Sequence, residues 1–227
     1  MIGTDQRSTK VVKNVENYVI TIARGFGSGG KQIGKLLASQ LGIPCYESQI
    51  PQMASECSGI SQEKFMQTDE RLRRPSLLRL IRKAPDIDRA YAPSDRKFVS
   101  DDNLFRIQAW IIRELAKSKP CIIIGKCANH ILRDRANVLS VYVEAPRKTC
   151  VESIMQKSGV TAEQANKLIV KTDQYRAEYY KYYTGGDDWT NPTLYDLTVN
   201  TGRLSREDAA RLIIQAARIK FGEDALY

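Results

Sequence analysis

The sequence predicts an α/β domain built on a five-stranded parallel sheet, and three observations lead there. Five short apolar runs alternate along the chain with amphipathic stretches of helical period. The runs are apolar throughout rather than at every second residue, which marks strands buried on both faces. The first run leads straight into "ARGFGSGGKQIG" (23–34), with glycines at 25, 27, 29 and 30 followed by Lys31. Strands alternating with helices in this way imply a parallel sheet covered on both sides. Ligands of such sheets bind along the carboxyl edge of the strands, where the glycines would lie.

The elements follow in order. "YVITIAR" (18–24) is β-branched and apolar and reads as the first strand. From Lys31, residues Ile33, Leu36, Leu37 and Leu41 recur at helical spacing, and Gly42 supplies a stop. "IPCY" (43–46) is a second short strand, and 48–58 and 61–74 read as helices. The stretch 75–100 is richer in proline and charge and has no clear period, so an inserted, mobile segment is expected there. After "SDDN" comes a strong helix with Leu104, Ile107, Trp110, Ile111 and Leu115 on one face, and Asp101 and Asp102 are read as its caps. "CIIIG" (121–125) is the third strand, 127–134 a short helix, and "NVLSVYVEA" (137–145) the fourth strand. Helices follow at 147–158 and 161–183, the latter opened by Thr161 with Gln164 three residues on, a capping box. "YDLTVNT" (195–201) is the fifth strand, and Ser205 with Asp208 caps the last helix.

Bulk properties narrow the classes of function. At 227 residues the chain suits one large domain. No apolar run approaches the roughly 18 residues that a membrane span needs. The N-terminal residues 1–17 read as a polar extension without the apolar core of a secretory signal. Five cysteines, odd in number and scattered, fit a reduced, cytoplasmic compartment rather than a disulfide framework. A net charge of +9 points to anionic partners. The basic residues are spread along the chain, with one denser stretch, "ERLRRPSLLRLIRK", and form no nucleic-acid tail. Small phosphorylated molecules are therefore expected as partners, and neither nucleic acid nor membrane.

The glycine stretch carries the chemistry. Against the phosphate-loop pattern G-x-x-x-x-G-K-[ST] it fits at Gly25, Gly30 and Lys31 and departs at Gln32. Backbone N–H groups over Gly27, Ser28, Gly29, Gly30 and Lys31 would turn inward as an anion nest, at the positive end of the following helix. Lys31 would bridge the outer phosphates of a nucleotide. The missing hydroxyl at Gln32 removes the usual direct magnesium ligand, although Ser28 and Thr21 are near in sequence. A dinucleotide-type turn is disfavoured, because only Glu47 could serve as its acidic partner.

Further stretches, "ELAKSKPCIIIGKCANHILRD", "VYVEAPRKTCVESIMQKSGVTAEQANKLI", "DQYRAEYYKYYTGGDDW" and "YDLTVNTGRLSREDAARLI", together with the loop, resemble the cytidylate kinase-like proteins, a branch of the nucleoside monophosphate kinases. The resemblance runs from about 18 to 221. It implies a three-layer P-loop NTPase core in 18–227, with a helical acceptor-side insertion over 47–118 and a lid over 161–190. It implies transfer of the γ-phosphoryl group of ATP, with Mg2+, to a CMP- or dCMP-like monophosphate. Gly25, Gly27, Ser28, Gly29, Gly30, Lys31 and Gln32 would form the ATP loop. "GKCAN" (125–129) stands where the family tends to have Gly-Arg-Cys-Ala-Asp, which places Lys126 and Asn129 at the acceptor. The lysine keeps the charge but loses the bidentate fork. The asparagine keeps hydrogen bonding but loses the carboxylate. Glu47 and Arg71 complete the expected acceptor set. Arg176 and Lys181, on the lid helix with Lys171, would approach the transferring phosphoryl group, with Gly185 and Gly186 as a hinge.

Cys127 and His130 form a C-x-x-H, but a zinc site needs a fourth ligand at suitable spacing and none appears. No residue is assigned to metal. A related P-loop kinase with another small acceptor, and a nucleotide-binding regulator with little turnover, remain open beside the leading reading.

Overall fold

The computed structural model describes residues 17–70 and 94–226. The end (71–74) of the helix expected over 61–74, with Arg71, Arg73 and Arg74, most of the segment 75–100, and nearly all of the N-terminal extension lie outside them.

Five strands, β1 (Val19–Arg24), β2 (Cys45–Tyr46), β3 (Cys121–Ile124), β4 (Val138–Glu144) and β5 (Leu197–Asn200), form one sheet in the order β2-β3-β1-β4-β5. Every pairing is parallel, and β1 lies at the centre with Ile20 beside both Ile122 and Leu139. The chain visits β2 and β3 on one side of β1 before crossing to β4 and β5. The carboxyl end of β1 is therefore where the strand order reverses and a ligand crevice opens.

Successive strand residues point to opposite faces, and both faces are dry. On one, Ile20, Ile22, Ile122, Ile124 and Val141 pack beneath α1 (Gly30–Leu41) and α8 (Arg206–Phe221). On the other, Val19, Cys121, Ile123 and Tyr142 meet α2 (Gln49–Ser58), α3 (Gln62–Glu70), α4 (Asp101–Ser118) and α5 (Ala128–Ile131). The helical pair α6 (Arg147–Ser158) and α7 (Ala162–Thr184) has its own small core around Cys150, Ile154, Ala165 and Ile169. The far half of α7 returns to the main core, where Tyr183 lies flat on Phe105 with ring centroids 3.7 Å apart. The strand pattern predicted this parallel sheet covered on both faces, and the α/β P-loop NTPase architecture is the one the family resemblance implied.

Helix signals read from the sequence hold at atomic detail. The Thr161 and Gln164 side chains form the reciprocal capping box of α7, and Ser205 Oγ accepts from the Asp208 amide at α8. Two expectations are corrected. Leu104, Ile107, Ile111 and Leu115 are buried as expected, but Trp110 is 52 % exposed, because the buried arc of α4 extends the other way, through Phe105, Gln108, Ala109 and Ile112. Ser100, not the following aspartates, caps α4 through the Asn103 amide, and Asp102 accepts a hydrogen bond from the Tyr182 hydroxyl. Strand β2 is only two residues long.

Candidate active site

Residues 25–29 turn the chain from the end of β1 into α1. Gly27 and Gly29 sit at φ 94° and 89°, backbone that side chains resist. A Cβ on Gly27 would fall 2.8 Å from the Cys150 carbonyl oxygen, and one on Gly25 would run into the Glu144 carboxylate. The turn is tied internally: Ser28 Oγ donates to the Gly25 carbonyl at 2.9 Å. Thr201 Oγ1 anchors it from outside, donating to the Ser28 carbonyl at 2.6 Å. The Ser28 hydroxyl is thus engaged within the turn, and Thr21 is buried inside β1. The first turn of α1 holds no acidic residue and its N-cap is a glycine without a capping side chain. Backbone N–H groups at a helix N-terminus in this state suit an anion.

Lys31 leaves the loop toward the β2 edge, where its Nζ lies 2.5 Å from Glu47 Oε2. Glu47 Oε1 accepts from Arg24 Nη2 at 3.1 Å. Burial alone would push the Glu47 carboxyl up, but its hydrogen bonds and charge contacts with Lys31 and Arg24 hold it below the usual range. Arg24, the last residue of β1, is partly buried, and that desolvation lowers its pKa while Glu47 opposes the shift.

A cavity of about 500 Å³ opens at the carboxyl ends of β1 and β3 against α7. Arg24, Lys126, Asn129, Lys171 and Arg176 line it together with aromatic rings. Lys126 and Cys127 take φ 58° and 54° directly after Gly125 at 73°, three consecutive left-handed residues. Such backbone costs about 1–3 kcal/mol per non-glycine residue and clusters at functional sites. The Arg24 guanidinium fills the space that a Gly125 side chain would need. Burial, reinforced by Arg24, brings the Lys126 pKa down to about 7. Asn129 Nδ2 donates to the Tyr180 hydroxyl at 2.9 Å.

Arg176 lies partly buried over the loop. Its Nη1 donates to the Arg24 carbonyl at 2.9 Å and to Asp173 Oδ1 at 3.2 Å, and the guanidinium stands over the Phe26 ring. Burial and the nearby Arg24 lower it to about 10, with Asp173 opposing. Asp173 Oδ1 also accepts from the Phe26 amide at 2.9 Å, so α7 grips the glycine loop through one carboxylate. Burial raises the Asp173 pKa, against the pull of Arg176 and the Phe26 amide. Glu144, at the end of β4, accepts from the Tyr142 hydroxyl at 2.5 Å and from the Ala145 amide at 2.9 Å.

The sequence-derived residues therefore converge unevenly. Lys126, Asn129 and Arg176 line one cavity together with Phe26 of the loop 25–32, and Glu47 joins it through Arg24 and Lys31. Lys181 does not reach it: five residues beyond Arg176, it is turned by about 140° around the helix and is exposed. Gly185 caps the end of α7 and Gly186 follows it, so the pair is the end of the helix. Arg71 is outside the described residues. His130 lies beside the Arg133 guanidinium, its pKa brought down to about 4 by burial and Arg133. Sequence reasoning missed Arg24 and Glu144. Each left one signal, a charged residue closing an apolar strand.

A family model described as the cytidylate kinase-like family matches residues 19–203. The chain belongs to the cytidylate kinase-like family. A cytidylate kinase of Aeropyrum pernix is 28% identical over 193 residues, covering 85% of this chain and 94% of that protein. One from Methanopyrus kandleri is 26% identical over 210 residues, covering 88% and 93%. Among solved structures, an uncharacterized protein from Eubacterium ventriosum superposes with a TM-score of 0.65 at 23% identity, over 88% of this chain and 98% of that one, and shows the shared fold. Family and fold support a phosphotransferase of the nucleotide-kinase class. Among the described residues, no helix is long and apolar enough to cross a membrane.

Proposed function

We propose that the protein transfers the γ-phosphoryl group of ATP to a nucleoside monophosphate of the CMP or dCMP type. The observation that carries this reading is the convergence of the glycine loop with Arg24, Lys126 and Arg176 on one crevice. Phosphoryl transfer is mostly positioning and charge stabilisation, and a loop of amides ringed by cations suits it. In this reading Gly25, Gly27, Ser28, Gly29, Gly30 and Gln32 shape the cradle for the donor phosphates. Lys31 exchanges Glu47 for phosphate oxygens. Arg176 meets charge that develops on the transferred group. The aromatic cavity takes the acceptor, with Lys126 and Arg24 near its phosphate and Asn129 and Glu47 at its polar edge. Lys181, turned away from the cavity, takes no part.

Hard oxygen donors suit Mg2+, and Glu144 and Asp173 place two carboxylates beside the loop where Gln32 offers no hydroxyl. These two residues would hold a Mg2+ that arrives with ATP, which neutralises phosphate charge when bound.

The departures at Lys126 and Asn129 favour one second reading, the same core acting on a different small acceptor. An ATP-consumption assay over CMP, dCMP, UMP, AMP and GMP separates the two. The expected result is turnover greatest with CMP or dCMP. Turnover with no monophosphate removes the first reading and leaves the second.

A further inference from the structure

Arg206 opens α8, yet nothing about α8 asks for an arginine there. The N-terminal end of a helix carries partial positive charge and disfavours a cation. The next two residues, Glu207 and Asp208, have the sign expected at such an end. Arg206 is exposed, and its Nη2 lies 3.4 Å from Ser153 Oγ, a long contact for a guanidinium. Among the described residues, no carboxylate forms an ion pair with it.

What Arg206 does touch is the glycine loop. Its Nε lies 2.8 Å from where a Cβ on Gly29 would stand, with Cδ and Cγ at 3.5 and 3.6 Å. Gly29 at φ 89° is the residue immediately before α1. The connection that delivers Arg206 is itself fastened to the loop, through Thr201 Oγ1 on the Ser28 carbonyl. Arg206 approaches from the β5 edge of the sheet, whereas Lys31 reaches toward Glu47 beyond the β2 edge. The acceptor cavity, lined by α7 and the β3–α5 turn, does not include it. An exposed guanidinium is thus placed at the rim of an amide nest, on the flank opposite the Lys31–Glu47 pair.

We propose that Arg206 is a donor-phosphate-binding residue that closes the glycine loop from the α8 side. It pairs with the polyphosphate chain of the nucleoside triphosphate while Lys31 holds the opposite flank. The assignment rests on the reading of the loop as the ATP site. Guanidinium–phosphate pairing is charge-assisted and geometrically specific, which separates arginine from lysine at this position.

Equilibrium binding of MgATP and of inorganic tripolyphosphate should be measured on wild type, Arg206→Ala, Arg206→Lys and Lys31→Ala, together with thermal midpoints without ligand. We expect Arg206→Ala to weaken both ligands by about five- to tenfold, as for loss of one charge-assisted contact, with Arg206→Lys between it and wild type. The ligand-free midpoint should not move, since the side chain is exposed. Unchanged affinity in Arg206→Ala, with weakened affinity in Lys31→Ala, would overturn the Arg206 assignment and leave the loop as the ATP site. Weakened ATP with unchanged tripolyphosphate would place the guanidinium on the base or ribose and also overturn it. If wild type binds neither ligand, the functional reading falls and this inference with it.

Discussion

Lys31 and Arg176 are the two side chains on which the proposed chemistry is most exposed to test. Lys31 is half-exposed and tied to Glu47 in the structure, so removing it leaves no buried hole. Lys31→Ala is expected to keep its folding midpoint and to lose affinity for MgATP by about tenfold, the scale of one charge-assisted phosphate contact. Titration calorimetry checks this, and an unchanged affinity removes the phosphate-loop reading. Arg176 differs because its guanidinium is positioned before any ligand arrives, by the Arg24 carbonyl and Asp173. Charge held in place for a group that becomes more anionic during reaction acts on turnover more than on binding. Arg176→Ala should lower the turnover number by roughly 10²-fold with a smaller change in ATP affinity. If turnover survives in that variant, Arg176 is a structural arginine even though the enzyme class stands.

The element that couples scaffold to site is α7. Its first half packs on α6 in a small separate core, and its second half is fixed by Tyr179 and Tyr183 against α4 and by Tyr180 against α5. Between them lie Asp173 and Arg176, on the glycine loop. A lid of independent motion over the whole of 161–190 does not fit this packing. Any closure would involve the α6–α7 end, with the tyrosine half as the fixed base. Phe105 on α4 is the anchor, stacked on Tyr183 and edge-on to Tyr179. Phe105→Ala is expected to destabilise the fold by about 3–5 kcal/mol, the range for a fully buried phenylalanine. Urea denaturation measures the loss. A loss under about 1 kcal/mol would mean that α7 is not seated on α4 as described.

At the scale of the whole molecule, buried titratable groups set how stability varies with pH. Lys126 has a folded pKa of about 7 against an ordinary lysine value of 10.5. Between these values the unfolded chain holds a proton that the folded chain lacks, so stability rises with pH across that window. Below about 7 both states are charged and this group adds no slope. His130, at about 4 against 6.5, gives a rise with pH between those values by the same sign. Cys45 and Cys150, raised to about 11, and Cys121, raised to about 12, act oppositely, because above 9.0 the unfolded thiols lose protons that the folded ones keep. Chemical-denaturation midpoints are therefore expected to climb between pH 7 and 9 and decline beyond. Lys126→Met should flatten the climb, and a wild-type profile already flat from 7 to 9 would show that Lys126 is not buried as described.

The alternation of apolar runs with amphipathic stretches determined the layered parallel sheet, because a strand buried on both faces has no polar side to show. The glycine stretch and its lysine determined where the turn between β1 and α1, and with it the proposed anion site, falls, since their backbone freedom and charge are local properties. Caps at Thr161 and Ser205 were readable for the same reason, each being a contact between residues three apart. Only the tertiary structure decided what lies across the chain. Asp173 meets Phe26 from 147 positions away, and Arg176 meets Arg24 from 152. On α4 the periodic pattern placed Leu104, Ile107, Ile111 and Leu115 inside, but only packing against distant elements decided that Trp110, at the margin of that face, stays out. Lys181 likewise shares a helix with Arg176 yet faces away from the cavity. The left-handed turn at Lys126 and Cys127 was equally hidden, because neither side chain favours that backbone and only the surrounding fold holds it there.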